Sequence, residues 1–230
     1  MEALLNSSIF IMALVVASYY LGKVIFAKCK IAIFNPVLLA IIVVIVVLKQ
    51  LNISYETFKE GSVILDFMLG PSVVAIGYTL YEHIDSLRGK VVPTLISVTV
   101  GGFVGIVSVI LICRAIGCDD IITLSLQPKS VTTPIALSLC ERSGGIGSIA
   151  AVSVVISGVS GSIIAPSLLK LFRVKSKTAK GLAMGSAAHG VGTAKALEMG
   201  AVEGAISGLS IGLMGVATSL LMPIVESIFY

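Results

Sequence analysis

The chain is poor in charged residues. Only 12% of its 230 residues are Asp, Glu, Lys or Arg, whereas 57% are hydrophobic and the mean hydropathy is +1.08. Soluble domains carry about 25% charged residues, so this chain has too little polar surface for a soluble enzyme. The same apolar excess excludes a disordered segment. We therefore predict an all-α polytopic membrane protein, with residues 1–230 forming a single integral membrane domain.

Residue patterns for specialised chemistry are also scarce. No Ser–His–Asp order or other nucleophile set is present, so we do not expect an enzyme. The net charge is +4, but no basic stripe alternates with aromatic residues, and we expect no nucleic-acid partner. We expect no metal or cofactor, because no CxxC pair or metal-spaced cluster occurs. The cysteines are interpreted as small apolar side chains: Cys29, Cys113, Cys118 and Cys140.

Hydropathy predicts about seven or eight spanning elements, since a span needs roughly 20 apolar residues. The first is interpreted as a retained span rather than a signal peptide, because Glu2 precedes it and Lys23 and Lys28 follow it. This order places the N-terminus outside a bacterial inner (cytoplasmic) membrane. The predicted spans are 4–22, 31–49, 61–82, 91–113, 119–140, 148–169, 181–198 and 204–229.

Several of these spans contain helix-breaking residues at membrane depth. Proline removes a backbone donor, and an opened backbone survives in lipid only when it is buried in protein or lines a hydrated cavity. Breaks of this kind are what a binding or permeation site requires. The predicted break positions are Pro36, Gly70, Pro71, Pro128, Pro134, Gly190 and Gly192.

The basic loops give an inconsistent orientation. The loop around Arg88 and Lys90 and the acid-free basic stretch 170–180 both belong inside, but eight plain crossings place the second one outside. One element between 115 and 170 must therefore not cross fully, unless the charge rule fails here. We predict a re-entrant or broken helix at 119–140, which has two prolines and Lys129.

The prolines also suggest an internal, inverted repeat. Residues 34–40 resemble residues 133–137, and each stretch is followed by a second, glycine-rich break. Paired interrupted helices are typical of a transporter site near the middle of the membrane. The predicted halves are 31–115 and 119–229.

Four ionisable side chains fall within predicted spans. A charge there costs about 2.5–3.5 kcal/mol on insertion scales and normally faces a bundle interior or a hydrated path. For Lys129 a functional role is favoured, whereas Lys195 is equally compatible with snorkelling near a helix end. Asp66 is a candidate proton or cation partner, with a structural ion pair as the equal alternative.

Residues 125–134 offer a cation, several hydroxyl groups and backbone amides freed by the break. Together with a half-helix N-terminus these groups suit a small carboxylate. The alternative is a kinked structural helix whose hydroxyls bond back to their own carbonyls. In the second broken segment His189 is a candidate substrate or proton-coupling residue, with an interhelical hydrogen bond as the alternative.

Four motifs occur together along the chain: Phe34-Asn35-Pro36, Leu69-Gly70-Pro71, Gln127-Pro128-Lys129-Ser130-Val131-Thr132-Thr133-Pro134 and His189-Gly190-Val191-Gly192-Thr193. With these motifs the chain resembles the LrgB/CidB family of bacterial antiholin-like membrane proteins, and the resemblance covers essentially the whole chain. The family is also similar to the C-terminal half of the plastid glycolate/glycerate translocator. Ser72-Val73 stands where the family commonly has Ala-Thr, which moves a hydroxyl by one position.

The resemblance implies two functions. One is regulation of murein hydrolases and autolysis, and the other is transport of small monocarboxylates such as pyruvate, glycolate or glycerate. In both, a small LrgA/CidA-type holin-like membrane protein is the implied partner, and a homo-oligomer is a further expectation. The broken, donor-rich segments favour transport, because a holin needs packing faces but no polar centre.

The expected carrier site lies between the two breaks. Its proposed carboxylate ligands are Lys129, Ser130, Thr132, Thr133 and Thr193. Asn35 and His189 are expected to bond the substrate's hydroxyl or keto oxygen, and Asp66 or His189 to couple transport to a proton or ion.

Overall fold

A computed structural model describes residues 7–29, 34, 36–65, 67–68, 71, 74, 78, 81 and 89–230. No residue in these ranges forms a β-strand, and the prediction of an all-α membrane protein is confirmed. The helices are α1 (Ser8–Cys29), α2 (Pro36–Gln50), α3 (Tyr55–Gly61), α4 (Val91–Ala115), α5 (Asp120–Leu126), α6 (Thr133–Arg142), α7 (Gly147–Leu171), α8 (Lys177–Met199) and α9 (Ala201–Phe229).

The chain divides into two compact units, Met1–Ala75 and Ile76–Tyr230. In the first unit, α1 packs on α2 where a Cβ at Gly22 would lie 2.7 Å from the Pro36 carbonyl oxygen. The first helix extends past the predicted end at residue 22, because the apolar residues 24–27 continue it beyond Lys23. The predicted halves of the repeat, 31–115 and 119–229, are not tested and remain a prediction.

Among the described residues, four helices are long and apolar enough to cross a membrane: α1, α4, α7 and α9. At 1.5 Å per residue, the 25 residues of α4 and of α7 reach about 37 Å, beyond the roughly 30 Å of hydrocarbon. The predicted spans 91–113, 148–169 and 204–229 lie within α4, α7 and α9. Span 31–49 contains the shorter helix α2, and much of 61–82 lies outside the described residues.

The helices of the second unit have two distinct ends. At one end Lys90, just before α4, donates a 3.5 Å hydrogen bond to Thr178 in the first turn of α8. At the other, Arg114 at the end of α4 bonds the Phe229 carbonyl oxygen and stacks 5.3 Å from the Phe229 ring centroid. We call the first the basic end, because it also carries the cationic residues 170–180, and the second the opposite end.

The predicted broken helix at 119–140 is confirmed. It consists of α5, a turn at 127–132, and α6. At the start of α6, Ala136 packs with Val98 and Met214, whereas Leu139 packs with Ile110 and Val225 near the opposite end. The second arm therefore returns to the end where α5 begins, as in a re-entrant hairpin.

The span predicted at 181–198, with breaks at Gly190 and Gly192, is interrupted just before those glycines, and α8 folds back on itself there. Its backbone leaves the helical region at Ala188 (φ −132°, ψ 17°) and His189 (φ 38°, ψ −130°). A Cβ on Gly192 would overlap the Met184 carbonyl oxygen, a contact that a straight helix cannot make across eight residues. Hydropathy detects an apolar stretch but not the direction in which the chain runs, so it does not predict that α8 reverses.

Helix α9 packs against both arms of α8. Thr193 in the second arm hydrogen-bonds the Ser207 hydroxyl at 2.7 Å, and Gly185 in the first arm lies against the Ser207 carbonyl oxygen. The two arms, 177–187 and 190–199, are therefore neighbours, and each spans only about 15 Å. The first arm begins at the basic end, and the second arm ends there.

Two hairpins thus enter from opposite ends of the second unit. Helix α4 runs from the basic end to the opposite end. The α5–α6 hairpin begins and ends at the opposite end, and α7 then returns to the basic end. The basic loops before α4 and after α7 consequently lie at the same end, as the charge pattern requires. The two basic loops lie at the same end because the α5–α6 hairpin does not cross the unit, as expected for one element between 115 and 170.

A helix followed by a hairpin occurs twice in inverted orientation. Helices α4 and α7 each have 25 residues and begin 56 positions apart, and residues 120–142 correspond to 177–199. Four positions of the two helices are identical at the offset of 56: Ser97 and Ser153, Val98 and Val154, Gly102 and Gly158, and Gly105 and Gly161. This helix-and-hairpin repeat lies within the second unit.

Candidate functional site

Lys129 lies at the tip of the α5–α6 hairpin. Pro128 cannot donate a backbone hydrogen bond, and the chain instead turns through bonds from Lys129 N to the Leu126 oxygen (3.2 Å) and Val131 N to the Pro128 oxygen (3.3 Å). Pro134 is then tolerated at the start of α6. The two prolines therefore leave a short non-helical tip deep in the helical unit.

The tip borders a cleft of about 700 Å³ that extends toward the basic end. Lys129 and Ser130 form one wall, α4 and α7 form two others, and the first arm of α8 forms the fourth. Of the described residues that line it, the polar ones besides these two are serines: Ser97, Ser157, Ser160 and Ser186.

A second cavity of about 580 Å³ extends from the same tip toward the opposite end. It runs along the N-terminal half of α7, from Ser148 to Ser160, with Leu126 on the facing side. Lys129, Ser157 and Ser160 line both cavities. The side chain of Lys129 consequently stands where spaces reaching toward opposite ends of the unit meet.

Lys129 is the sole ionisable residue among the described residues lining either cavity. Within the described part of the chain, no carboxylate forms an ion pair with it. By contrast, Lys195 is paired with Glu198 at 2.7 Å near the end of its arm. An ammonium group with hydroxyl neighbours and no counter-charge is suited to hold a small anion.

The tip of the α8 hairpin is fixed by internal hydrogen bonds. His189 is 7% exposed, and its Nε2 lies 2.9 Å from the Val154 carbonyl oxygen, with the ring against Gly158. Thr193 is 2% exposed and bonds both Ser207 and the His189 carbonyl oxygen. These contacts place the two side chains inside the protein rather than on the walls of the cleft.

The predicted site residues therefore have different positions. Lys129 and Ser130 line the cleft, whereas Thr132 is the N-cap residue of α6 and Thr133 its first residue, away from both cavities. Asn35, Asp66 and Gly70 lie outside the described residues.

The predicted break positions show a similar spread. Pro36 begins α2 rather than interrupting it, and Pro71 is an exposed helical residue. The interruption of α8 falls at Ala188 and His189, just before the predicted Gly190 and Gly192.

Sequence reasoning missed the serines of α7. Ser153, Ser157 and Ser160 recur at intervals of four and three, which places them on one helix face, and this spacing was available as a signal. It also missed Gln127, which is 2% exposed and whose amide atoms have no hydrogen-bond partner in the part of the chain that is described.

Comparison with known proteins agrees with the membrane fold. Residues 15–228 match the LrgB-like family. The chain is 36% identical over 223 residues to "Uncharacterized protein YxaC" of Bacillus subtilis (strain 168), covering 97% of each chain. It is 34% identical over 207 residues to "Antiholin-like protein LrgB" of Bacillus mycoides (strain KBAB4) and of Bacillus cereus (strain B4264), covering 90% of each chain. No solved structure shows significant similarity. The chain is a multi-pass membrane protein that belongs to the LrgB-like family.

Proposed function

We propose that the chain is a carrier of small monocarboxylates of the pyruvate, glycolate and glycerate class. The observation that supports this best is the position of Lys129 at the meeting point of two cavities that extend toward opposite ends of the unit. A permeating anion has to pass this ammonium group on either route. The basic end is proposed to face the cytoplasm of a bacterial inner membrane, with the chain's N-terminus outside.

The charge of the site favours a monoanion. One ammonium compensates one carboxylate, whereas a dicarboxylate would leave an unpaired charge in a low-dielectric space lined by serine, glycine and apolar side chains. The serine hydroxyls then serve the hydroxyl or keto oxygen of the substrate, because they both donate and accept hydrogen bonds.

The proposed transport cycle uses the two inverted hairpins. Their tips meet α7 from opposite directions, with Lys129 on one side and Ala187 beside Ser157 on the other (Ser157 Oγ donates to the Ala187 oxygen at 3.4 Å). Rocking one hairpin against α7 would widen one cavity while closing the other, which is the alternating access expected of inverted repeats. Coupling to a proton or ion through Asp66 or His189 is part of the same hypothesis.

A second candidate function is antiholin-like regulation of murein hydrolase activity or export, with an effect on autolysis. It is favoured by the name of the Bacillus relatives, antiholin-like protein LrgB. In this alternative the chain and a small LrgA/CidA-type partner form or restrain a pore. Such a pore passes dyes without saturation, whereas a carrier shows saturable exchange of its substrate.

The test is counterflow of labelled pyruvate and glycolate in proteoliposomes, with and without an LrgA-type partner. Wild type, Lys129→Ala and Lys129→Arg are compared, and Lys195→Ala serves as a matched control that removes a lysine engaged in an ion pair. Saturable counterflow that is lost in Lys129→Ala and kept in Lys195→Ala supports the carrier. No counterflow from correctly folded protein in any combination, together with dye leakage, supports the antiholin-like function instead.

A further inference from the structure

A third cavity, of about 530 Å³, lies at the basic end where α7 is followed by α8. Its cationic residues belong to one short stretch, and its remaining walls are apolar. None of the described residues lining it is acidic. The cations are Lys170, Arg173, Lys175 and Lys180, and the apolar residues are Pro166, Leu169, Val174 and Met199.

The two acids around the junction of α8 and α9 do not line the cavity. Glu198 pairs with Lys195 at 2.7 Å, and Glu203 is only 5% exposed in the first turn of α9. Within the described residues no carboxylate forms an ion pair with any of the four cations of the cavity. Their positive charges are therefore available to an external anion.

Arg173 has a backbone conformation that is unfavourable for arginine. Its φ of 54° lies in the left-handed region, which favours glycine because other side chains clash there. The conformation closes α7 through bonds from Arg173 N to the Lys170 oxygen (3.0 Å) and from Val174 N to the Leu169 oxygen (2.9 Å). This is the helix ending that normally has glycine at the left-handed position.

The inverted repeat provides an internal reference for this position. Helix α4 ends in the same way, and the residue 56 positions before Arg173 is Gly117, with φ 73°. One copy thus has the expected glycine, while the other keeps a strained arginine whose side chain lines the cavity. A loop that only orients the protein in the membrane needs positive charge, but it has no need of arginine at this strained position.

We propose that this cavity binds a phosphate-bearing anion, with Arg173 as its central ligand. The chemistry is shared by the headgroup of an anionic phospholipid and by a soluble phosphate compound. The surroundings favour the lipid, since Leu171 and Phe172 beside the cavity are 71% and 73% exposed and would lie among acyl chains. The proposal is independent of the transport function and of Lys129.

The site can be tested on the purified full-length chain by native mass spectrometry. After delipidation, the protein is offered phosphatidylglycerol or phosphatidylcholine, and the retained lipid is counted. Arg173→Gly removes the guanidinium while restoring the residue preferred at this φ, so we expect it to fold. Lys177→Gln removes a charge at the first residue of α8, close in sequence but outside the cavity, and is the matched control.

We expect wild type and Lys177→Gln to retain phosphatidylglycerol over phosphatidylcholine, and Arg173→Gly to bind phosphatidylglycerol about fivefold more weakly. Displacement by inorganic pyrophosphate would show that a soluble phosphate compound also occupies the site, and failure to displace would assign it to the lipid. Equal losses in Arg173→Gly and Lys177→Gln, or no preference for phosphatidylglycerol, would overturn the proposal.

Discussion

The imidazole Nε2 of His189 lies 2.9 Å from the carbonyl oxygen of Val154 and fastens the tip of the α8 hairpin to α7. A carbonyl only accepts, so Nε2 carries the proton of this bond. The same residue has φ 38°, a region in which a Cβ is unfavourable. The hydrogen bond and the backbone strain are therefore linked at the residue where the helix reverses.

Two substitutions at His189 separate these contributions. Both His189→Ala and His189→Gly remove the hydrogen bond, but only alanine keeps a Cβ at the strained position. We expect the glycine variant to be more stable than the alanine variant by about 1 kcal/mol, even after the higher backbone entropy of unfolded glycine. Denaturant titration in detergent micelles measures the difference, and equal stabilities would show that the reversal relaxes without strain.

The hydroxyl pair between α8 and α9 predicts energetic coupling. Thr193 and Ser207 are 2% and 0% exposed and lie 2.7 Å apart. We expect Thr193→Val and Ser207→Ala each to cost about 1–3 kcal/mol, because each leaves a buried hydroxyl without this partner. The double variant should cost less than the sum of the single variants by about 1 kcal/mol in unfolding measurements. Strict additivity would mean that the hydroxyls do not stabilise one another.

Much of the fold follows from local chemistry that the sequence displays. Long apolar runs predict α4, α7 and α9, and Pro128 and Pro134 predict the interruption between α5 and α6. The direction of the chain after an interruption does not follow from local sequence, because it depends on which neighbours the second arm packs against. The reversal at His189 relies on Gly192 and Gly185 lying against Met184 and Ser207, contacts that no local pattern contains.

The site likewise contains residues that local sequence predicts and residues that only packing brings together. Lys129 was predicted because a charge within a span is costly and normally faces a bundle interior or a hydrated path. Ser130 was predicted because its hydroxyl group lies next to this cation in the broken segment. Ser157 and Ser160 were not, since a serine in a spanning helix usually bonds its own backbone, as Ser160 does with the Ile156 oxygen at 2.6 Å. Their place beside Lys129 arises only from the packing of the hairpin on α7.

The glycines of α8 should differ sharply in their tolerance of alanine. A Cβ on Gly185 would overlap the Ser207 carbonyl oxygen and the Ser210 hydroxyl, whereas nothing lies within 4 Å of one on Gly190. We expect Gly185→Ala to lose about 1–3 kcal/mol or fail to fold, because backbone cannot move aside easily. Gly190→Ala should be neutral or slightly stabilising. Comparing their thermal unfolding midpoints tests this, and equal midpoints would contradict the close packing of α8 on α9.

The two hairpins also predict which residues are reached from the same side of the membrane. Single cysteines are placed at exposed positions flanking each hairpin: Ile116 and Arg142 around α5–α6, and Ser176 and Ala201 around α8. The background lacks the native cysteines, Cys29, Cys113, Cys118 and Cys140. A membrane-impermeant maleimide, applied to oriented vesicles before and after permeabilisation, reports the side.

We expect both members of each pair to react from one side, and the two pairs to react from opposite sides. This follows because each hairpin returns to its starting end, while α7 between them crosses. If α8 spanned the membrane, Ser176→Cys and Ala201→Cys would label from opposite sides, and the inverted repeat would be refuted. If Ile116→Cys and Arg142→Cys were labelled from opposite sides, the α5–α6 segment would cross the membrane. Lys129 would then lie along a spanning helix instead of at a tip.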